Sequence, residues 1–242
     1  MAKLIPAGAR SPLRLSGPSP SWSRLYRWGG VSAWLFVGTL VVAIVLSLTT
    51  PAPPTTGGAA TLEYIAAHRT LYLVHQQLWL IPGVFAMVTY LALYPALRPL
   101  DRSTAALGAA IGCSAWALTL AIPTTSTGAP ALVYLSDQFA AATDPAGSAS
   151  LAAAAETLIA QNRTPGIVGV LTTVAVLIVS ILMLKGIFPK MIAYLGIVTG
   201  VVGAASEALR FVIEGGYGVY GVLLLVWMGA VGWKLLELGR RG

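Results

Sequence analysis

Long apolar runs set the rhythm of this chain. Six of them are separated by short stretches that hold the charges and most of the prolines. They cover residues 30–48, 71–97, 105–122, 166–184, 191–212 and 217–236. Each is near the roughly 20 residues a helix needs to cross a hydrocarbon core about 30 Å thick. The first lies in a charge-free interval between Arg27 and Glu63 and stops at Pro51, Pro53 and Pro54, residues that end helices. Pro123 closes the third, and the fifth carries Glu207 and Arg210 near its end. Barrel strands alternate apolar and polar residues over about ten positions. Runs such as VVAIVLSL and VAVLIVSILML do not alternate. The pattern therefore predicts an all-α, polytopic membrane protein: a six-transmembrane-helix bundle over residues 28–242.

Two stretches between the runs predict further helices. Thr61 caps a helix start and Glu63 suits a first turn, so one helix is expected from Thr61 to Leu97, kinked at Pro82. Between spans three and four, about 40 residues without structure would be unusual. Pro130–Ala142 has a helical apolar pattern, Asp144-Pro145 reads as a cap and first-turn proline, and Leu151–Ala160 forms an Ala-rich stripe. Two short helices are expected there, on the outer side of the bundle, as a lid or as packing filler.

Charge sets the orientation. Of 15 Lys and Arg residues, twelve fall on one side of a six-span layout, and Arg69, Arg163 and Arg210 fall on the other. Basic loops stay inside, so both termini are expected in the cytoplasm and the chain in the plasma membrane. Residues 1–27 hold five basic and no acidic side chains with Pro6, Pro12, Pro18 and Pro20. They read as a flexible basic cytoplasmic tail before an uncleaved signal anchor. Trp22, Tyr26 and Trp28 suit an interfacial aromatic belt.

Composition narrows the chemistry. The chain is 57% apolar and 10% charged, against about 25% charged in soluble proteins. Its basic residues sit at span ends rather than in one patch, so the expected partner is the bilayer and not nucleic acid. One cysteine, Cys113, cannot make an intramolecular disulfide. No metal or other cofactor is expected: His68 and His75 are the only histidines, about 10.5 Å apart along a helix. No H-E-x-x-H motif is present, and no lysine stands at mid-membrane for a Schiff base.

Ionisable and polar groups inside a membrane are candidates for function. Glu207 and Arg210, spaced i, i+3, can face each other. His75, Gln76 and Gln77 lie near the outer end of the second span, and Asn162, Arg163 and Thr164 at the outer mouth of the fourth. Together they suggest an outward-facing polar pocket. Each has a structural alternative: an ion pair within one helix, an interfacial histidine, and hydrogen bonds between helices. Gly108-x-x-x-Gly112 and Gly196-x-x-x-Gly200 provide small faces for close helix contact within the chain or in a homodimer.

Three features resemble a family of bacterial and archaeal six-helix membrane proteins defined only as a domain of unknown function. They are Tyr26-Arg27-Trp28-Gly29-Gly30 at the first span, the turn Leu97-Arg98-Pro99-Leu100-Asp101-Arg102, and Gly186-Ile187-Phe188-Pro189-Lys190 leading into Tyr194-Leu195-Gly196. The resemblance covers most of the chain from about Tyr26 onward. It implies a six-helix bundle and carries no catalytic residue; the proline-rich tail departs from it. The leading expectation is a non-enzymatic protein that binds, senses or transports a small-molecule or lipid-like ligand. The alternatives are an accessory subunit bound to a membrane-protein partner, and an enzyme acting on a lipid or quinone-like substrate.

Overall fold

The computed structural model describes residues 22–54, 56–122, 125, 128–163, 166–210, 212 and 216–241. Residues 1–21 of the expected tail lie outside the described residues, and residues 23–27 already belong to the first helix. Ten helices follow in order: α1 Ser23–Thr49, α2 Gly58–Ala67, α3 Arg69–Leu80, α4 Pro82–Leu97, α5 Arg102–Ala121, α6 Ala131–Ala141, α7 Pro145–Arg163, α8 Ile167–Met183, α9 Lys190–Ala208 and α10 Gly216–Arg241. Five segments are long and apolar enough to cross a membrane: α1, α3 with α4, α5, α9 and α10. The apolar helix α8 has 17 residues.

The expected continuous helix from Thr61 to Leu97 is broken twice. Pro82 interrupts it as anticipated, because proline lacks the N–H that would bond one turn back. The other break, at His68, was not foreseen. There the backbone turns to φ −125°, ψ 32°, and the ring stacks on Tyr64 with centroids 4.6 Å apart. Thr61 is not the cap, since α2 already begins at Gly58.

α1, α4, α5, α8, α9 and α10 form a closed ring in that order, each packing on the next and α10 returning to α1. Closure depends on two adjacent glycines. A Cβ at Gly30 would stand 2.8 Å from the Gly232 carbonyl oxygen of α10, and one at Gly29 would overlap Ala92 of α4. The Thr89 hydroxyl donates to the Gly29 carbonyl at 3.2 Å. One face of α1 thus touches two neighbours at backbone distance. Tyr26, Phe36, Tyr90, Leu93, Met183, Trp227 and Leu235 fill the interior. Outside it, Val42, Leu91, Leu107, Val201 and Val226 are exposed.

Three of the four remaining helices, α2, α6 and α7, pack on one another at the end of the ring where α1 finishes and α8 begins, here termed the cap end. They share a second core of Leu62, Ile65, Leu132, Val133, Ala155 and Ile159, joined by Tyr72 of α3. The Asp144 carboxylate accepts from the Gly147 N–H at 2.6 Å, as the Asp-Pro pattern anticipates, but α7 is longer than the expected 151–160. The Ser136 hydroxyl reaches the Leu62 carbonyl at 2.7 Å, and Arg69 pairs with Asp137. The start of α1 and the end of α10 lie at the opposite end, here termed the terminal end, where Arg98 stacks over Trp22 with 5.3 Å to the ring centroid.

Two consequences can be measured. Gly112 of α5 faces the Tyr90 ring, whose Cγ would lie 2.6 Å from an added Cβ, whereas Gly38 has nothing within 4 Å. Gly112→Ala should therefore lose about 1–3 kcal/mol by overpacking, and Gly38→Ala should lose nothing; unfolding midpoints in detergent compare them. Asp101 caps α5 by accepting from the Thr104 N–H at 3.0 Å. That bond holds its carboxyl below the usual carboxylate range. Because the folded pKa is depressed, the cap's contribution is complete above the unfolded value near pH 4. It is lost as pH falls through the folded value. Asp101→Asn retains a capping oxygen and should flatten that acid-side loss in unfolding midpoints taken between about pH 3 and pH 7.

Candidate functional site

The polar residues expected to form one pocket occupy separate places around the ring. α3 packs on α1, α2 and α4, whereas α9, which carries Glu207, packs on α8 and α10.

On the first side, His75 is buried and its Nε2 lies 2.6 Å from the Ser47 hydroxyl of α1. The Trp79 indole N–H also donates to that nitrogen, at 3.2 Å. Beside the pair is a small, partly open hollow of about 30 Å³ lined in part by Ser47, Thr50, Tyr64, Tyr72 and His75. A serine against a histidine nitrogen has the atoms of a nucleophile and its base. Two observations favour a latch between helices instead. The Ser47 hydroxyl also reaches the Ala43 carbonyl at 2.8 Å, and the hollow has room for one or two waters rather than for an organic substrate. Gln76, fully buried, accepts from the Thr125 hydroxyl at 2.8 Å. Gln77 is exposed and joins neither group. Arg163 ends α7, and its side chain lies outside the described residues.

On the second side, Glu207 and Arg210 do come together, with Oε1 3.4 Å from the guanidinium. The pair is not confined to one helix. Oε1 also accepts from the Gly166 N–H at 2.6 Å, at the N-terminus of α8, where the helix dipole favours a carboxylate. Gly169 leaves room for it: a Cβ there would lie 2.6 Å from the Glu207 carboxyl carbon. The second oxygen, Oε2, is buried with no hydrogen-bond partner. The Glu207 side chain is 3% exposed and that of Arg210 23%, so the carboxylate is closed off while the guanidinium reaches the surface. Arg210 also lies over the Tyr217 ring, 4.9 Å from its centroid. The Ser206 hydroxyl ties the end of α9 to Gly216 of α10 at 3.0 Å.

A third set went unnoticed in the sequence. Tyr220, Trp227 and Lys234 recur every seven residues on α10, so they share a face, and all three are buried. Opposite them α9 presents Gly196, Gly200, Gly203 and Glu207 on one stripe. Added Cβ atoms at Gly196 would overlap the Ser180 hydroxyl and the Trp227 indole nitrogen. At Gly203 one would lie 2.7 Å from the Tyr220 ring. The heptad of Tyr, Trp and Lys was the signal, visible only when the tenth helix is read for its inward face. The glycines expected to serve helix contact do so inside the chain: Gly108 meets Val179 and Ile178, and Gly200 meets Leu177. Among the described residues no cluster of His, Cys, Asp and Glu could hold a metal ion.

A hollow of about 540 Å³ is lined by apolar side chains between α1 and α10, among them Trp34, Val41, Val226 and Trp233. It opens on the outer surface of the ring and touches none of the polar groups above. Residues 30–236 match a family defined by a domain of unknown function, DUF4386. The chain belongs to that family. This agrees with the resemblance carried by the span-end motifs. No curated protein and no solved structure matches the chain.

The role of Glu207 as a tie between helices is open to measurement. Glu207→Ala removes the acceptor of the Gly166 N–H and one of the partners of Arg210 and should cost about 1.5–3 kcal/mol. Glu207→Gln retains an acceptor oxygen for Gly166 and should cost clearly less. Equal loss in both variants, measured by thermal unfolding in one detergent, would sink the hydrogen-bonding account.

Proposed function

We propose that this is a six-span protein of the plasma membrane, with both termini cytoplasmic, that binds a small or lipid-like ligand at the cap end through Glu207 and Arg210. The sixth span is α8. Its 17 residues are flanked by α5 and α9 in the ring, and Val170 and Ile181 are exposed along it as on a lipid-facing helix. Among the described residues, nine basic side chains (Arg24, Arg27, Arg98, Arg102, Lys185, Lys190, Lys234, Arg240 and Arg241) fall in segments at the terminal end, which supports placing that end in the cytoplasm. The basic residues that precede α1 then form a cytoplasmic tail, and the membrane domain begins with α1 at Ser23.

The observation that carries the ligand reading is the Glu207 carboxylate. One oxygen is held by Gly166 and Arg210, while the other is buried without a partner. A carboxylate so fixed in membrane surroundings is expensive unless something uses it. A ligand that brings a hydrogen-bond donor or a cationic group to Oε2, and an acceptor to the guanidinium at the opening, matches the two charges. The accessory-subunit reading is less favoured, because the glycine faces that would serve such an interface are occupied within the chain.

Native mass spectrometry of the protein, gently extracted from its own membrane, tests this. Wild type should retain a non-protein mass that Glu207→Gln releases. The same mass on both proteins, or a stoichiometric protein partner with no small molecule, would sink the assignment.

A further inference from the structure

Between α1 and α10 the outer face of the ring is concave. The hollow there measures about 540 Å³, within the roughly 300–1,000 Å³ of ligand sites. Val37 and Val41 of α1 form one wall, and Val222 and Val226 of α10 the other. The two helices touch at Gly30 and Gly232. One turn further along, at Gly229, they leave room: the nearest atom to an added Cβ, on the Trp34 ring, stands 3.8 Å away. The stretch from Trp233 to Val222 rises about 16.5 Å along α10. That is about half of a hydrocarbon core some 30 Å thick, the depth of one leaflet.

Charge stands at one mouth of this slot only. Arg27 precedes Trp34 by seven residues on α1, and Arg240 follows Trp233 by seven on α10. Each arginine therefore shares a helix face with a lining tryptophan and lies beyond it at the terminal end. Both arginines are exposed. The Arg27 stem lies against Gly239, the residue before Arg240: a Cβ there would be 2.7 Å from Arg27 Cγ. Among the described residues neither arginine has an ion-pair partner, because the Glu237 carboxylate is taken by Lys234 and Arg241. The first turn of α1 contains no acidic side chain, and its backbone N–H groups add to the positive potential. Toward the cap end α1 carries no charge after Arg27, and α10 carries none before Lys234.

An apolar slot one leaflet deep, entered between two indole rings beside two unneutralised cations, matches an amphipathic anion. We propose that this groove is a binding site for one anionic glycerophospholipid, with an acyl chain between α1 and α10 and the phosphate on Arg27 and Arg240. A guanidinium fork fits phosphate oxygens in pairs. Trp34 and Trp233, half exposed at 50% and 55%, offer N–H groups that only donate, and the ester carbonyls of a lipid accept. Anionic lipids are enriched in the cytoplasmic leaflet, which agrees with a terminal end facing inward.

A second copy of the chain suits the groove less well. A two-fold interface presents the same patch from both sides. It would bring both pairs of arginines to one depth without a carboxylate to separate them. Free phosphate would meet the arginines and leave the slot empty. This site lies on α1 and α10 at the terminal end, so it does not depend on the ligand reading of Glu207.

The full chain, stripped of lipid in an uncharged detergent, can be titrated with dioleoyl phosphatidylglycerol or dioleoyl phosphatidylcholine while native mass spectrometry counts bound lipids. Wild type should take up one phosphatidylglycerol well before any further lipid, and in preference to phosphatidylcholine. Arg27→Gln and Arg240→Gln should each weaken this first site about fivefold, and the double variant about 25-fold, with the headgroup preference gone. Gly229→Leu and Val226→Trp fill the slot from its floor and its rim, and each should weaken both lipids alike. Lys190→Gln removes a charge at the same end but on α9, outside the groove, and should bind as wild type does. The proposal is overturned by equal uptake of the two lipids, by a double arginine variant no weaker than Lys190→Gln, or by undiminished binding in the folded slot-filling variants. Displacement of the lipid by chain-free glycerophosphate at equal concentration, or a dimer that forms in its place, would overturn it too.

Discussion

Where the first ring helix meets the last, Gly30 and Gly232 bring two backbones together with almost nothing between them, and the closed ring rests on that approach. Helices in a membrane gain no hydrophobic energy by leaving lipid for one another, so association relies on close packing and on hydrogen bonds between helices. The neighbouring Gly29 brings α4 equally close, and the Thr89 hydroxyl bonds to its carbonyl. A bulky side chain at either position would separate α1 from a neighbour and open the interior to lipid.

Closure is what makes a polar interior affordable. Once the ring is shut, Glu207, Ser180, Tyr220 and Lys234 can face inward while Val42, Val201 and Val226 face outward. The glycine stripe of α9 serves the same division. It takes up no space opposite Thr173, Ser180, Tyr220 and Trp227, so these larger polar and aromatic side chains fit between helices that still touch. Small residues on one helix and polar ones on the next belong to one packing solution.

Much of this was legible in the sequence. Apolar length located the segments, with ends off by up to seven residues at the start of α1, because the thickness of a bilayer imposes it. Asp144-Pro145 marked the start of α7, since capping is local chemistry. The break at His68 was hidden because no residue there forbids a helix; stacking on Tyr64 and the cap core decide it. The site was less legible. Glu207 and Arg210 are four positions of one helix turn and could be paired by eye. The third partner, the Gly166 N–H, lies 41 residues away in sequence. Likewise Ser47 and His75 meet across 28 residues, and nothing in either segment announces the other. His75 and Glu207 share a polar character but not a neighbourhood, because α3 and α9 pack on different helices of the ring.

The cap and the carboxylate are joined by covalent chain. α7 ends at Arg163, and three residues later the Gly166 N–H grips Glu207. α7 also holds α2 through its Glu156 carboxylate, which accepts from the Gly57 N–H at 3.0 Å. The end of α7 and the bond that fixes Glu207 are thus near neighbours in the chain, so a change in how α7 packs on α2 and α6 would be felt at Gly166.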